Sequence, residues 1–348
     1  MLHKLLLTLT FILSAISVLF IGGSLVSAQF MPRGPELAYS TEVDGTSSIY
    51  LLSVRHGLAY SLTSAESPDR TPVWSPDGSM LVYESRALTR QNFNLYVTLL
   101  GGTRYNERRL TGNLSGDGSA VWSMDQAETI LYVSSPGVTN RIYQMNINDR
   151  PFEHQRITSV DYSSYAPHVS PVSGEVLYVS IRDGQYDILG YDPHTGVERF
   201  ATHDEYIDSS PHWSPDGKRF SFQSYRGDSL DIFVADADGQ NIRQLTSERG
   251  NDHSAMWSPD GRYIAFTSNR SGNDDIFVLE VDHPENVVRL TTHLAADRNP
   301  VWSPDGQYIA FVSYRDNNAE IYLARPFGGA ERRLTHDPGQ DNFPAWRP

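Results

Sequence analysis

The sequence predicts an all-β, seven-bladed β-propeller of four-stranded blades, its ring closed by the C-terminal strand joining the N-terminal blade; a six-bladed ring is the alternative. Three observations predict this. A Trp-Ser-Pro-Asp-Gly segment recurs, beginning at Trp74, Trp213, Trp257 and Trp302. Degenerate copies at Trp122 and Val169 and a truncated copy at Trp346 complete the series, with spacings of 48, 47, 44, 44, 45 and 44. A period of about 45 residues is that of a propeller blade. Finally, no stretch beyond the N-terminal apolar segment carries the 3.6-residue periodicity of a helix.

Each element of a repeat has its own warrant. Pro-x-Trp-Ser reads as a short inner strand. In Ser-Pro-Asp-Gly, Pro fixes φ, Asp suits the next turn position and Gly allows the exit. Tyr263-Ile264-Ala265-Phe266 is then a second strand rich in β-formers. A polar loop over 268–274 leads to a third strand, Asp275 to Leu279. A fourth ends at Arg289-Leu290-Thr291, and the repeat from Trp302 has the same order.

The two chain ends complete each other. Leu37 to Ser40, Ser48 to Leu52 and Tyr60 to Thr63 match strands two to four of a blade that lacks its first strand. Phe343 to Trp346 is an isolated first strand. Joined, they make the seventh blade and remove exposed sheet edges.

Residues 1–28 read as a signal peptide: Lys4, an apolar run from Leu5 to Ile21, then Val26-Ser27-Ala28 as a small-residue cleavage site. An uncleaved membrane anchor is the alternative. Either way residues 36–348, after a short linker at 29–35, are expected outside the cytoplasm: periplasmic, secreted or held at the outer face of the membrane.

Composition narrows function. The 348 residues carry 28 Lys plus Arg against 42 Asp plus Glu, a net charge of -14. Nucleic acid needs a basic face and is not an expected partner. With no cysteine there is no thiolate nucleophile and no Cys-based zinc site. No His-Glu-x-x-His, phosphate loop or dinucleotide fingerprint occurs.

Trp-Ser-Pro-Asp-Gly, a following Ile-Ala-Phe, an Asp-Ile-Phe or Glu-Ile-Tyr third strand and a closing Leu-Thr together resemble the TolB-type propeller repeat, across residues 36–346. The resemblance implies a propeller and an interaction role in the cell envelope. TolB itself has a six-bladed propeller behind an N-terminal α/β domain, whereas about seven residues separate Ala28 from the first strand here. Similar repeats occur in prolyl-oligopeptidase-type enzymes, whose Gly-x-Ser-x-Gly elbow this chain lacks.

Five residues before the anchors stand Asp69, Asp117, Asp208, Asp252, Asp297 and Asp341, with Ser164 in the seventh repeat. Symmetry places them round one channel mouth. An acidic ring there would hold calcium or another divalent cation, or receive a basic ligand. The structural alternative is a latch to Arg86, Arg182, Arg226, Arg270 and Arg315, which follow the second strands on the same face. The recurring tryptophans are expected to pack between blades. His168 and His212 precede adjacent anchors and are the weak candidates for metal ligands; His253 is out of phase with them. The expectation is a non-enzymatic binding scaffold with protein partners in the envelope. A channel-based enzyme, such as a polysaccharide lyase or metal-assisted hydrolase, is the alternative.

Overall fold

The computed structural model describes residues 36–64, 67–86, 91–100, 107–112, 115–126, 128–149 and 153–348. The leader and linker expected at 1–35 lie outside the described residues. Among these residues no helix is long and apolar enough to cross a membrane.

Seven four-stranded antiparallel sheets form the fold. Blade 1 is ordered Gln340–Trp346, Glu36–Val43, Thr46–Ser53, Leu58–Ser61, so the C-terminal strand is its inner strand. Blades 2 to 7 start with inner strands Asp69–Trp74, Gly116–Trp122, Ser163–Val169, Ile207–Trp213, Asp252–Trp257 and Asp297–Trp302. Each inner strand packs against the inner strands of both neighbouring blades, so the ring is shut. The seven-bladed expectation holds, including the blade shared by both chain ends.

The turns follow their sequence chemistry. Asp77, Asp216, Asp260 and Asp305 each accept a bond from the Ser hydroxyl two residues earlier, at 2.6–2.7 Å. Each also accepts the backbone N–H two residues later, at 3.0–3.1 Å. The following Gly is left-handed, with φ of 66–69°, where a side chain would be strained.

Apolar side chains fill the seams between blades. One cluster joins Val82 and Leu95 of blade 2 to Trp122 and Ile130 of blade 3; another joins Leu37 and Trp346 of blade 1 to Ile321 and Leu323 of blade 7. The tryptophans also bond across seams. Nε1 of Trp74, Trp122, Trp257, Trp302 and Trp346 donates to the carbonyl of Ala345, Val73, His212, Met256 and Val301. Each acceptor directly precedes the anchor of the preceding blade. Trp213 alone differs: its buried Nε1 has no acceptor, while its backbone N–H donates to the His168 side chain of the preceding blade. That irregular fourth blade still has all four strands.

Candidate functional site

The six ring aspartates are buried. All are at most 2% exposed, and Asp208, Asp252, Asp297 and Asp341 are fully buried. Their strand register gives their neighbours. Asp69, Asp117, Asp208, Asp252 and Asp297 lie opposite Ser85, Ser134, Ser224, Ser268 and Ser313, and Asp341 lies opposite Thr41. On their other side stands the last Thr of the preceding blade, as Thr63 beside Asp69 and Thr335 beside Asp341. The carboxylates of the expected ring thus lie between neighbouring blades and out of solvent.

The arginines complete only part of the expected latch. Arg270 and Arg315 reach Asp252 and Asp297 at 2.7 and 3.0 Å. Arg226 is 3.6 Å from Asp208 but 2.7 Å from Asp204. Arg182, in the blade that carries Ser164, pairs instead with Glu198, and Arg86 stacks over Phe93.

A second buried set escaped the sequence reading. Asp187, Asp231, Asp275 and Glu320 open or lie in the third strands, all at most 5% exposed. Arg289 and Arg333 of the fourth strands bond Asp275 and Glu320 at 2.8 and 2.6 Å. The closing threonines join the system: Thr63, Thr111, Thr158, Thr202, Thr246, Thr291 and Thr335 each accept a third-strand N–H at 2.9–3.0 Å. The signal was the in-phase Asp/Glu-Ile and Arg-Leu-Thr pattern, read only as strand punctuation.

Burial acts on these acids. It pushes Asp69 and Asp208 up to about 6 and Asp341 up to about 7, against the lowering effect of neighbouring hydroxyls. Neither carboxylate oxygen of Asp341 meets a donor in good hydrogen-bond geometry, and the charges of Asp337 and Glu320 raise it further. A carboxyl whose folded pKa lies above its unfolded value holds a proton in the fold that the unfolded chain has lost. Its stabilising contribution is present at low pH and is lost as pH rises through the folded pKa.

The channel itself is built by a repeated distortion. Three residues before each anchor the backbone is left-handed, at Thr71, Ser119, Ala166, Ser210, Ser254, Asn299 and Phe343, with φ of 49–55°. At the same places the inner-strand registers slip. Each slip is a β-bulge that re-aims side chains, held at a cost of about 1 kcal/mol or more per residue. The bulged residues Thr71, Ser210, Ser254, Asn299 and Phe343, with Gln223, His212 and His253, line a cavity of about 680 Å³. A second cavity of about 400 Å³, walled by tryptophans and turn prolines, continues towards the Trp-Ser-Pro turns and shares Val73, His212 and Met256 with the first.

His168 and His212 meet on the channel wall, ring centroids 4.6 Å apart and 47° inclined. Burial pushes both down, His212 to about 4, and for His168 the neighbouring His212 adds to the effect. Nδ1 of His168 accepts the Trp213 N–H at 3.2 Å, which assigns its proton to Nε2. Among the described residues no three His, Asp or Glu side chains come together as a metal site. His253 lines the same cavity as His212 and contacts Ser254 at 3.1 Å.

Residues 151–297 match the TolB beta propeller domain family. An uncharacterized protein of Agrobacterium fabrum is 30% identical over 158 residues, which are 45% of this chain and 51% of that protein; the match thus spans about half of that relative. Among solved structures, TolB from Acinetobacter baumannii superposes with a TM-score of 0.60 at 21% identity, covering 90% of this chain and 83% of its own. An oligogalacturonate lyase in complex with manganese gives 0.66 at 16% identity, with 88% and 87% covered. A puromycin-hydrolyzing peptidase of Mycobacterium tuberculosis gives 0.67 at 13%, covering 86% of this chain and 53% of the peptidase. At these identities the structures share a fold, and one fold serves binding proteins and enzymes alike.

Proposed function

We propose that this chain, whose repeats are of the TolB propeller type, is a non-enzymatic binding scaffold working outside the cytoplasm. It receives a protein partner or small ligand at the channel mouth beside Phe343. One observation carries the reading: a cavity of about 680 Å³ that sets Thr71, Ser210, Ser254 and Asn299, all on left-handed bulges, among prolines, valines and Met256. That volume lies in the range of small-ligand pockets. Bulges fixed by the strand ladder hold those groups in place before a ligand arrives, which lowers the ordering cost of binding. Phe343, 44% exposed, offers an apolar ring among them. The net charge of -14 favours partners with basic or neutral faces. The signal-peptide pattern read in residues 1–28 is the ground for placing it in the envelope.

The test replaces Phe343 with a benzoyl-phenylalanine photo-crosslinker in the full chain, with the same probe at Val138 as control. Irradiation in an envelope fraction is expected to yield discrete adducts from position 343 and none of the same size from 138. Equal adduct patterns at the two sites would refute the channel-mouth assignment.

The adjacent His168–His212 pair favours a second reading, a channel-based enzyme such as a polysaccharide lyase or metal-assisted hydrolase. The manganese-bound lyase of the same fold makes that reading specific. Two imidazoles, one with a nitrogen already engaged by Trp213, do not by themselves complete a catalytic metal set. Stoichiometric metal in the purified protein, lost in His168→Gln/His212→Gln, would promote this reading over the first.

A further inference from the structure

We propose that the seam between blades 7 and 1 carries an anion site, formed by Arg55, Arg325 and Arg332, for a small organic molecule bearing a phosphate or paired carboxylates. These three side chains line a cavity of about 470 Å³ whose remaining wall includes Val54, Leu323 and Tyr308. It shares no lining residue with the channel cavities, so the inference stands apart from the proposed channel function.

The repeat itself is the yardstick. Three residues before the closing Thr, blades 2, 4, 5 and 7 carry Arg108, Arg199, Arg243 and Arg332. Each guanidinium donates to a carbonyl of the next blade: Arg108 to that of Ile147, and Arg199, Arg243 and Arg332 to those of Ala237, Val281 and Val54 at 2.6, 2.8 and 3.0 Å. In blades 4 and 5 that recurring cation has an acid beside it. Arg199 pairs with Glu175 at 2.7 Å, and Arg243 lies 3.8 Å from Asp282. The seam of blades 7 and 1 has neither. The place of Glu175, six residues after the anchor, is taken by Tyr308. The place of Asp282, next to the acceptor carbonyl, is taken by Arg55.

A third position is inverted too. Five residues after the buried third-strand acid, blades 4, 5 and 6 carry Asp192, Asp236 and Glu280. Blade 7 carries Arg325, which lies over the ring of Tyr308 at 5.7 Å. Glu331, the nearest acid in sequence to Arg332, is drawn away to Arg315. Among the described residues no ion pair joins any of the three arginines to a carboxylate.

Three unneutralised guanidiniums in a chain of net charge -14 are the reverse of what drift on an acidic surface produces. Planar guanidiniums match oxyanions with paired hydrogen bonds. The apolar wall accommodates a hydrocarbon or aromatic body behind the charged head. A dianion answers the charge better than a monoanion, since all three cations lie at one opening.

The experiment is calorimetric titration of the full chain at low salt with phenyl phosphate, phenylmalonate and, as neutral control, benzyl alcohol. Binding of one or both anions is expected, with at least tenfold weaker binding of the alcohol. The preferred anion distinguishes the phosphate from the carboxylate source. Raising salt to physiological strength should weaken the anions and not the alcohol. The variant Arg55→Asp/Arg325→Glu gives this seam the residues that other blades carry there, so it is expected to fold, with a melting temperature no lower than the parent. It should lose anion affinity at least tenfold. Unchanged affinity in that variant, equal binding of the neutral control, or no anion binding at low salt would each overturn the proposal.

Discussion

Deleting residues 340–348 removes the inner strand of blade 1 and should open the ring. The loss can be counted from the structure. The strand pairs with Glu36–Val43 along most of its length. Asp341 N–H donates to Ala319 at 2.8 Å and Arg347 N–H to Glu36 at 2.9 Å. Trp346 donates from Nε1 to Val301, and Ala345 accepts from Trp74. At about 1 kcal/mol net for each bond, and about 3–5 kcal/mol for a buried Trp, the deletion costs about 8 kcal/mol. That is comparable with the whole stability of a typical domain. It also bares Leu37 and Ala38 on a free sheet edge, an invitation to aggregate. Circular dichroism melts and urea titrations are the assay, with Trp346→Ala as the graded companion. The deletion should lower the melting temperature by more than about 15 °C, or abolish a single cooperative transition. Trp346→Ala should fall between it and the parent. A deletion variant that melts within 2 °C of the full chain would refute the reasoning, because closure would then contribute nothing to stability.

Asp341→Asn should raise stability above pH 7 by about 4 kcal/mol, the worth of moving this buried carboxyl from 3.8 to about 7. The gain over the parent should shrink steadily as pH falls to about 4; a gain independent of pH would contradict the linkage. Trp257→Phe should cost about 1 kcal/mol more than Trp213→Phe, because only Trp257 loses a hydrogen bond to a carbonyl; equal losses by urea titration would show the cross-seam bonds to be idle. Asp297→Ala should cost about 3 kcal/mol, since it leaves a hydrogen-bonded, poorly exposed Arg315 without one of its two acids. A small-ligand melting shift abolished by this change would instead return the aspartates to a binding role.

The parts legible in the sequence were those whose chemistry repeats in kind as well as in place. Ser-Pro-Asp-Gly announces its turn because each residue answers a local geometric demand. The two chain fragments announce closure because neither can bury its face alone. The bulged residues have no such mark. Thr71, Ala166, Asn299 and Phe343 share a left-handed backbone and nothing chemical, because the distortion is imposed by the ladder on both sides of them. The aspartates differ. Their recurrence was visible, but their burial depends on packing from the neighbouring blade, which no single repeat displays; in the fold they lie across the ladder from residues such as Ser85 and Ser268, out of solvent. Phase therefore serves two uses. Where a residue recurs at one position, as these aspartates do, the first explanation to test is packing common to all blades. Where one seam departs from the others with reversed charge, as Arg55 and Arg325 do, packing common to all blades cannot be the reason, and the departure points to something this seam alone must hold.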